Sequence, residues 1–438
     1  MSDLTGAHGG TQAVAAARQH AVDTVFTLSG AHVFPVYDGA VNATPPLRLV
    51  DVRHEQTAVF AAEGLAKLTR TPGLAVVTAG PGVTNTVSAV STAWFNGSPV
   101  VVLGGRAPAY RWGQGALQEL DHPPLLAPVT KHAGTVRSPG DVAGAVDDAF
   151  RTATRSHRGP VFLDVPMDHL FTPADAELPA LTPADVVAPD PADLTEVAHL
   201  LAAAERPVLV VGSDVWSDGA EEATRRLAET ARLPVIANGM GRGVLPRGHE
   251  LLVTRARGVA FGQADLVVVV GTPLDFRLGY GVFGGKDGAS PAPVVHLADA
   301  PDQVATHTAL AASAAGDLTA VAEGVLAAWG AELRHPDLSD WLTRLQQAAA
   351  AAAASDAVLL TSAADPIHPA RIYGELLPRL ADDAVVIGDG GDFVSFAGRV
   401  VEPSQPGSWL DPGPFGCLGT GPGYAIAARL ARPDAQVV

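Results

Sequence analysis

The first 170 residues alternate short apolar runs with longer segments whose apolar residues recur at helical spacing. Such alternation is typical of buried strands in a parallel sheet that helices cover on both faces. The pattern predicts five strands, TVFTL at 24–28, LRLVDV at 47–52, LAVVTA at 74–79, PVVVLGG at 99–105 and PVFLDV at 160–165. Residues 1–172 are therefore predicted to form an α/β domain.

A second α/β domain is predicted at 190–330. A stretch rich in proline and aspartate at 172–193 separates it from the first domain and is expected to be a linker. Its predicted strands are PVLVVG at 207–212, PVIANG at 234–239, DLVVVVG at 265–271 and PVVHLAD at 293–299.

The remaining residues predict a connecting helix and a third, incomplete domain. The alanine-rich run at 346–354 has a high helix propensity. A third unit at 365–438 is expected to begin with a helix over HPARIYGELLPRL and a strand over AVVIGDGG. The final run AQVV resembles a strand with no partner and no following helix, so we expect a C-terminal part to be missing. The predicted fold is thus three consecutive parallel-sheet α/β domains, the last one partial.

Composition excludes several classes of partner. The 438 residues are 47% apolar and 17% charged, which suits about three globular domains rather than a disordered chain. The net charge of −17, with no basic patch, opposes binding to nucleic acid or to an anionic membrane. The longest apolar runs are far shorter than the roughly 20 residues that span a bilayer. One cysteine, Cys417, and the lack of a secretion-signal pattern predict a cytoplasmic protein.

Candidate chemistry is concentrated in two strand–turn–helix segments. In DVRHEQTAVFAAEGLAKLTR a helix is predicted to start near Glu55, whose carboxylate either complements the helix dipole or performs acid–base chemistry. In TAGPGVTNTVSAV, Gly80, Pro81 and Gly82 either allow the backbone to approach a ligand closely or form an ordinary turn. Asn85 ends the GPGVTN motif.

These segments resemble the thiamine-diphosphate-dependent enzymes of the acetolactate synthase group, and the resemblance extends over essentially all 438 residues. RHEQ matches the turn whose glutamate activates the cofactor in that family, and GPGVTN matches its GPGxTN motif. The resemblance implies that Glu55 protonates or hydrogen-bonds N1′ of the cofactor's pyrimidine and so favours loss of the C2 proton. It also implies that Gly80, Gly82 and Asn85 lie at the cofactor.

Further segments of the first domain match the same family. GALQELDH resembles its AFQE segment, with Leu117 replacing phenylalanine, and implies that Gln118 lies near the cofactor and the substrate. VTKH resembles its TKH element and would place Lys131 at the substrate channel, with an ordinary surface lysine as the alternative. TLSGAHVF keeps Gly30 of the family's turn at the pyrimidine, but Ser29 replaces its proline. GPVFLDVPMDH matches the structural end of the family's first domain.

The second domain resembles the nucleotide-binding central domain of the same superfamily, which holds FAD in acetolactate synthases and ADP in oxalyl-CoA decarboxylases. Gly239, Gly241 and Gly243 either cradle a diphosphate or form an αβ turn. Only LDFR at 274–277 represents the family's RFDDR element at the FAD. FAD is therefore one candidate, beside ADP and an empty domain.

The third domain contains a false match to the family's magnesium motif. GDG at 388–390 looks like its start, but no asparagine follows Asn238. The Asp and Asn ligands of Mg²⁺ are therefore expected beyond Val438, and no metal ligand is assigned within the chain.

Two other segments resemble the diphosphate-binding domain of the family. IGDGGDFVSFAGR matches a strand and turn that approach the diphosphate, and GPFGCLGTGPGYAIAARL matches the helix that follows. Leu418 stands where the family places a bulky apolar residue that wedges between the two rings of the cofactor. The residues assigned to the cofactor here are Gly391, Asp392, Phe393, Cys417, Leu418 and Gly419.

The resemblance implies a carboligase that decarboxylates pyruvate on thiamine diphosphate and transfers the two-carbon unit to a second 2-keto acid. A 2-hydroxyacyl-CoA lyase or an oxalyl-CoA decarboxylase is an alternative, suggested by GPGYAIAARL and NGMGRGVLP. A non-catalytic remnant is an alternative of another class, suggested by the missing magnesium motif. Since family sites lie between the first domain of one subunit and the third domain of another, at least a homodimer is expected.

Overall fold

The chain folds into two compact units. The computed structural model describes residues 4–182, 186–285, 290–330 and 336–438. The first unit comprises residues 1–185 and 412–434, and the second comprises 186–411 and 435–438. The segment predicted as the third domain, 365–438, is therefore shared between the two units.

The first unit is built around a parallel sheet of six strands in the order β3-β2-β4-β5-β7-β6. A short antiparallel pair, β1 and β8, lies apart from it. The elements of this unit are β1 (Ala7–His8), α1 (Gly9–Gln19), β2 (Thr24–Thr27), α2 (Phe34–Asn42), β3 (Arg48–Asp51), α3 (Glu55–Thr69), β4 (Gly73–Val77), α4 (Pro81–Thr84), α5 (Val87–Phe95), β5 (Val100–Arg106), α6 (Pro123–Leu126), β6 (His132–Thr135), α7 (Val142–Thr154), β7 (Val161–Pro166), α8 (Met167–Phe171), β8 (Pro173–Ala174) and, near the C-terminus, α17 (Thr420–Ala431).

The apolar runs predicted the strands of this sheet well. All five predicted strands are present, as β2, β3, β4, β5 and β7. β4, β5 and β7 are buried along their whole length, as expected for strands covered on both faces. β6 was not predicted, because its sequence HAGT contains no apolar run, and it lies at the edge of the sheet.

The second unit contains a parallel sheet of five strands in the order β10-β9-β11-β12-β13. The four predicted strands are present, whereas β13 was missed because its sequence ASAA consists of small residues. The elements of this unit are α9 (Pro191–Ala203), β9 (Pro207–Val211), α10 (Ser213–Ser217), α11 (Glu221–Thr230), β10 (Val235–Ala237), α12 (Arg257–Gln263), β11 (Leu266–Val270), β12 (Val294–Ala298), β13 (Ala312–Ala315), α13 (Leu318–Trp329), α14 (Ser339–Leu360), α15 (Pro369–Leu376), β14 (Val386–Ile387), α16 (Gly391–Val400) and β15 (Trp409–Leu410).

The end of the chain corrects one expectation. β14 and β15 pair in parallel, and the final run AQVV joins them, since Val437 bridges Val385 and the Ile387 N–H donates to the Val438 carbonyl at 2.7 Å. The prediction that this run has no partner is therefore wrong. The predicted connecting helix is present as α14. In the described part of the chain no helix, α14 included, is long and apolar enough to cross a membrane.

Helices α3 and α17 pack closely against each other within the first unit. A Cβ atom added to Gly423 would lie 2.6 Å from the Cβ of Phe60, and one added to Gly64 would lie 2.9 Å from the ring of Tyr424. The Tyr424 hydroxyl also donates a hydrogen bond of 2.9 Å to the buried carboxylate of Glu63. Glycines at the crossing allow this close approach, and the two helices start side by side.

Candidate functional site

The predicted residues of the first domain come together at one edge of its sheet. Because the strands are parallel, the turns that follow β2, β3, β4 and β5 meet at the carboxyl edge. These turns lead to Gly30, Glu55, Gly80 and Gln118 respectively. Ligands of open parallel sheets bind in crevices at this edge.

Glu55 is the first residue of α3 and is almost completely buried, with 7% of its surface exposed. The preceding His54 caps the helix, since its Nδ1 accepts the Gln56 N–H at 3.2 Å. The Asn85 side chain donates to Oε2 of Glu55 at 2.9 Å. Among the residues that the structure describes, none donates a hydrogen bond to Oε1. Glu55 thus presents one carboxylate oxygen that is available to a ligand.

Thr78, which follows β4, is surrounded by the glycines of the predicted site. A Cβ atom added to Gly30 would lie 2.3 Å from the Thr78 Cβ, and one added to Gly82 would lie 2.7 Å from its Cγ2. Gly80 has φ +58° and ψ −113°, a conformation that residues with side chains rarely adopt. Close packing against Thr78 therefore accounts for Gly30 and Gly82, and the backbone conformation accounts for Gly80.

Gln118 faces the same turn from the segment after β5. Its φ of +60° is unusual for a residue with a side chain, and its Cβ would lie 2.9 Å from a Cβ added to Gly80. The Thr78 hydroxyl lies 3.5 Å from Oε1 of Gln118 and 3.0 Å from Nδ1 of His32. Burial lowers the pKa of the His32 imidazole, and a hydrogen bond to the backbone of Leu117 opposes this shift.

Lys131 does not belong to this group. It directly precedes β6, and its N–H donates to the carbonyl of Pro160, just before β7, at 2.8 Å. It therefore lies at the amino edge of the sheet, opposite Glu55. Its Nζ donates to the backbone carbonyls of Arg155 and His157, both at 2.7 Å. Within this unit these contacts hold the Lys131 ammonium group on the backbone between α7 and β7, and its place at the substrate channel stays a prediction.

A buried polar chain behind the Gly80 turn was missed by the sequence analysis. The Gly80 N–H donates to Nε2 of His122 at 2.9 Å, and Nδ1 of His122 lies 2.9 Å from Oδ2 of Asp164. Nη1 of Arg106 donates to the same carboxylate oxygen at 2.7 Å. In the sequence, His122 ends GALQELDH and Asp164 lies in GPVFLDVPMDH. The first segment was predicted to place Gln118 at the site and the second to be structural, so neither indicated this contact.

The start of α17 lies beside the start of α3, within the same unit. The Gln56 amide donates to the Leu418 carbonyl at 3.4 Å and to the sulfur of Cys417 at 3.8 Å. Gly419 has φ +92°, and a Cβ atom there would lie 3.7 Å from the same amide nitrogen. Leu418 is exposed, with 63% of its surface accessible. The structure thus places the predicted wedge residue next to the residue that follows Glu55.

The other predicted cofactor residues lie in the second unit. Gly391, Asp392 and Phe393 form the first turn of α16, whose N–H groups are suited to an anion, and the Phe393 carbonyl accepts the Tyr373 hydroxyl at 2.7 Å.

The glycines of the central domain have an internal explanation. A Cβ atom added to Gly239, Gly241 or Gly243 would lie 2.4 Å or less from an atom of the protein. This tight packing favours the turn over the diphosphate cradle.

Three arginines lie near one another in the second unit. Burial, together with the charges of Arg242 and Arg277, lowers the pKa of Arg257 to about 10, while Asp275 opposes the shift. Asp275 and Arg277 belong to the LDFR element and form an ion pair of 2.7 Å. Such a concentration of positive charge favours an anionic ligand.

The residues at the carboxyl edge fit the pyrimidine half of thiamine diphosphate. A carboxyl group that serves a ring nitrogen must be shielded from water and must keep an oxygen available. Glu55 meets both conditions, and the exposed side chain of Leu418 supplies apolar surface close by.

Three family models match the chain. Residues 7–125 match the thiamine pyrophosphate enzyme N-terminal TPP binding domain, 194–325 match the central domain, and 389–438 match the C-terminal TPP binding domain. The structure confirms the predicted α/β fold with parallel sheets, and the third match lies within the segment predicted as the third domain.

Similar proteins extend this agreement to nearly the whole chain. The acetolactate synthase large subunit IlvG of Mycobacterium tuberculosis is 46% identical over 435 residues, which cover 98% of this chain and 77% of that protein. A probable acetolactate synthase of Mycobacterium bovis matches equally well. The 2-hydroxyacyl-CoA lyase 2 of Homo sapiens is 33% identical over 480 residues, which cover 98% of this chain and 73% of that protein. The chain therefore belongs to the thiamine pyrophosphate enzymes and is a homologue of acetolactate synthase.

Proposed function

We propose that the protein is an acetolactate-synthase-like carboligase, which decarboxylates pyruvate and transfers the two-carbon unit to a second 2-keto acid. The observation that carries the proposal is the buried Glu55 carboxylate, held by Asn85 at 2.9 Å with Oε1 available. The higher identity to acetolactate synthase, 46% against 33% for the lyase, supports this choice of reaction.

The chain's own residues have distinct tasks in this reaction. When bound, thiamine diphosphate supplies the carbon nucleophile for the keto group and the electron sink for decarboxylation. Glu55 holds a proton at N1′ of the pyrimidine, and Asn85 orients its carboxylate. Leu418 would pack against the rings of the bound cofactor, and Gln118 would line the side where the substrate binds. The turn at 391–393 is assigned to the diphosphate.

Two further cofactors belong to the proposal. Mg²⁺ would anchor the diphosphate, and no residue of this chain is assigned to it. The central domain would hold a nucleotide, with FAD and ADP as candidates that share an adenosine diphosphate group. The cluster of Arg242, Arg257 and Arg277 supports an anionic group there.

The second candidate function is 2-hydroxyacyl-CoA cleavage, because a human 2-hydroxyacyl-CoA lyase is 33% identical to the chain. Both reactions use the same activated cofactor, so the product distinguishes them. The test supplies the purified protein, as its gene encodes it, with thiamine diphosphate, Mg²⁺ and either pyruvate or a 2-hydroxyacyl-CoA. We expect acetolactate from pyruvate. Aldehyde and formyl-CoA from the thioester, without acetolactate, would replace the carboligase with the lyase.

We also propose that the active form is a homodimer whose sites combine two chains. In one chain, the start of α3, which carries Glu55, contacts Leu418 just before α17 through the Gln56 amide. The family resemblance assigns these two elements to different subunits, so α17 of each protomer would pack on α3 of the other. Such an exchange of the same helix between two protomers is domain swapping, a low-cost route to dimers.

Mixed dimers test this arrangement. Glu55→Gln and Leu418→Asp should each inactivate the enzyme, but a dimer with one chain of each kind should have about half the wild-type activity, since one site then carries both defects and the other none. Two affinity tags isolate the mixed dimer, and a mixed dimer of wild type and Glu55→Gln is the control. An inactive Glu55→Gln/Leu418→Asp dimer beside an active control would show that each site is built from one chain.

A further inference from the structure

We propose that His122 is a positioning residue for the candidate site, because it fixes the Gly80 turn against which Gln118 is held. This inference rests on the function proposed above, in which Gln118 lines the substrate side. His122 contacts neither the cofactor nor the substrate in this account. It acts through one hydrogen bond to the backbone of Gly80.

The hydrogen bonds of His122 determine the state of its ring. The ring is completely buried, and Nε2 accepts the Gly80 N–H at 2.9 Å. An accepting nitrogen carries no proton, so the ring is neutral and its proton lies on Nδ1. Nδ1 therefore donates to Oδ2 of Asp164, 2.9 Å away. Asp164 thus selects the one neutral tautomer that can accept the Gly80 N–H.

Arg106 completes the chain behind His122. Its guanidinium donates to Asp164 at 2.7 Å and to Asp121 at 2.9 Å. The same group lies over Trp112, with Cζ 3.8 Å from the centre of the ring. Asp121 and His122 are consecutive, so two neighbouring side chains fasten the end of the segment that presents Gln118. The position of that segment is therefore set by polar contacts, a buried one through His122 and a more exposed one through Asp121, rather than by a regular element.

The turn and the Gln118 segment both need such support. Gly80 and Gln118 have φ values of +58° and +60°, and their Cβ positions would approach to 2.9 Å. A residue with a side chain, such as Gln118, keeps a positive φ only where its surroundings enforce it. The His122 acceptor is one such constraint, and its removal should let the Gln118 side chain move away from its position at the site.

Two matched variants separate positioning from general loss of stability. In His122→Gln the amide oxygen can reach the place of Nε2 and accept the Gly80 N–H. In His122→Asn the shorter side chain can reach Asp164 but not Gly80. Both remove the imidazole and both keep a polar amide. We expect His122→Asn to lower kcat/KM by about 10–100-fold, as for a slightly misplaced reacting group, and His122→Gln to retain most of it.

Hydrogen exchange of the Gly80 amide gives a readout that is independent of activity. We expect slow exchange in the wild type and in His122→Gln, and faster exchange in His122→Asn, with similar melting temperatures for the two variants. A double-mutant cycle with Gln118→Ala adds a second test, since His122→Asn should cost little further activity once Gln118 is absent. Equal exchange in both His122 variants, or full additivity with Gln118→Ala, would overturn the proposal. If the wild type forms no acetolactate, the proposed function fails, whereas the exchange data still decide the role of His122.

Discussion

Replacing Glu55 by Gln should lower kcat by about 10²–10⁴-fold, the usual contribution of a general acid or base, while cofactor affinity and melting temperature change little. Glutamine keeps the shape of the side chain and can still pair with Asn85. It cannot hold the proton at N1′ of the pyrimidine. The loss should therefore appear in kcat rather than in KM, as steady-state assays with 2-keto acids can measure.

A matched control tests whether loss of a negative charge at the start of a helix is enough to lower activity. Glu222 also lies in the first turn of a helix, α11, but it is exposed and pairs only with Arg225 at the surface among the described residues. Glu222→Gln should leave kcat unchanged. If both variants lost activity equally, or if Glu55→Gln kept the wild-type rate, Glu55 would be a helix-capping charge and not the activating residue.

Replacing Glu63 by Ala should cost about 3–5 kcal/mol of unfolding free energy, the range observed when one partner of a buried ion pair is removed. Glu63 is fully buried, with Oε1 3.7 Å from Nζ of Lys67. The same oxygen accepts from Asn96 at 2.8 Å and from Ser98 at 3.1 Å, and Oε2 accepts the Tyr424 hydroxyl. Urea denaturation measures the change.

Tyr424→Phe is the control for Glu63, because it removes one hydroxyl of the same cluster and keeps the ring that fills the α3–α17 crossing. It should cost only about 1 kcal/mol, the usual net value of one hydrogen bond. A Glu63→Ala variant no less stable than Tyr424→Phe would show that the carboxylate contributes no more than its bond to the tyrosine.

The parts of the fold that follow from the sequence are those with strong local signals. Long apolar runs in β4, β5, β9 and β11 identified both sheets, because strands covered on both faces require continuous apolar residues. Glu55 and Asn85 were predicted in one site and are hydrogen-bonded at 2.9 Å. Glu55 follows β3, and Asn85 follows β4. Because the strands of this sheet are parallel, both residues lie at its carboxyl edge.

The parts that could not be predicted depend on contacts between distant segments. His122 and Asp164 are 42 positions apart, and neither has a local pattern that indicates their 2.9 Å contact. Val385 and Val437 pair although each lies in a short run. The role of Lys131 was taken from a three-residue match, and only the position of β6 and β7 shows that it lies at the opposite edge from Glu55.

Glu55 is proposed to activate thiamine diphosphate in this protein. The most direct test of this role is the rate of hydrogen–deuterium exchange at C2 of the bound cofactor, followed by NMR after rapid acid quenching in wild type and Glu55→Gln. We expect fast exchange in the wild type and exchange slowed by about 10²-fold or more in the variant, with the cofactor bound in both. Equal exchange rates would contradict this proposal and would leave Glu55 with a structural role.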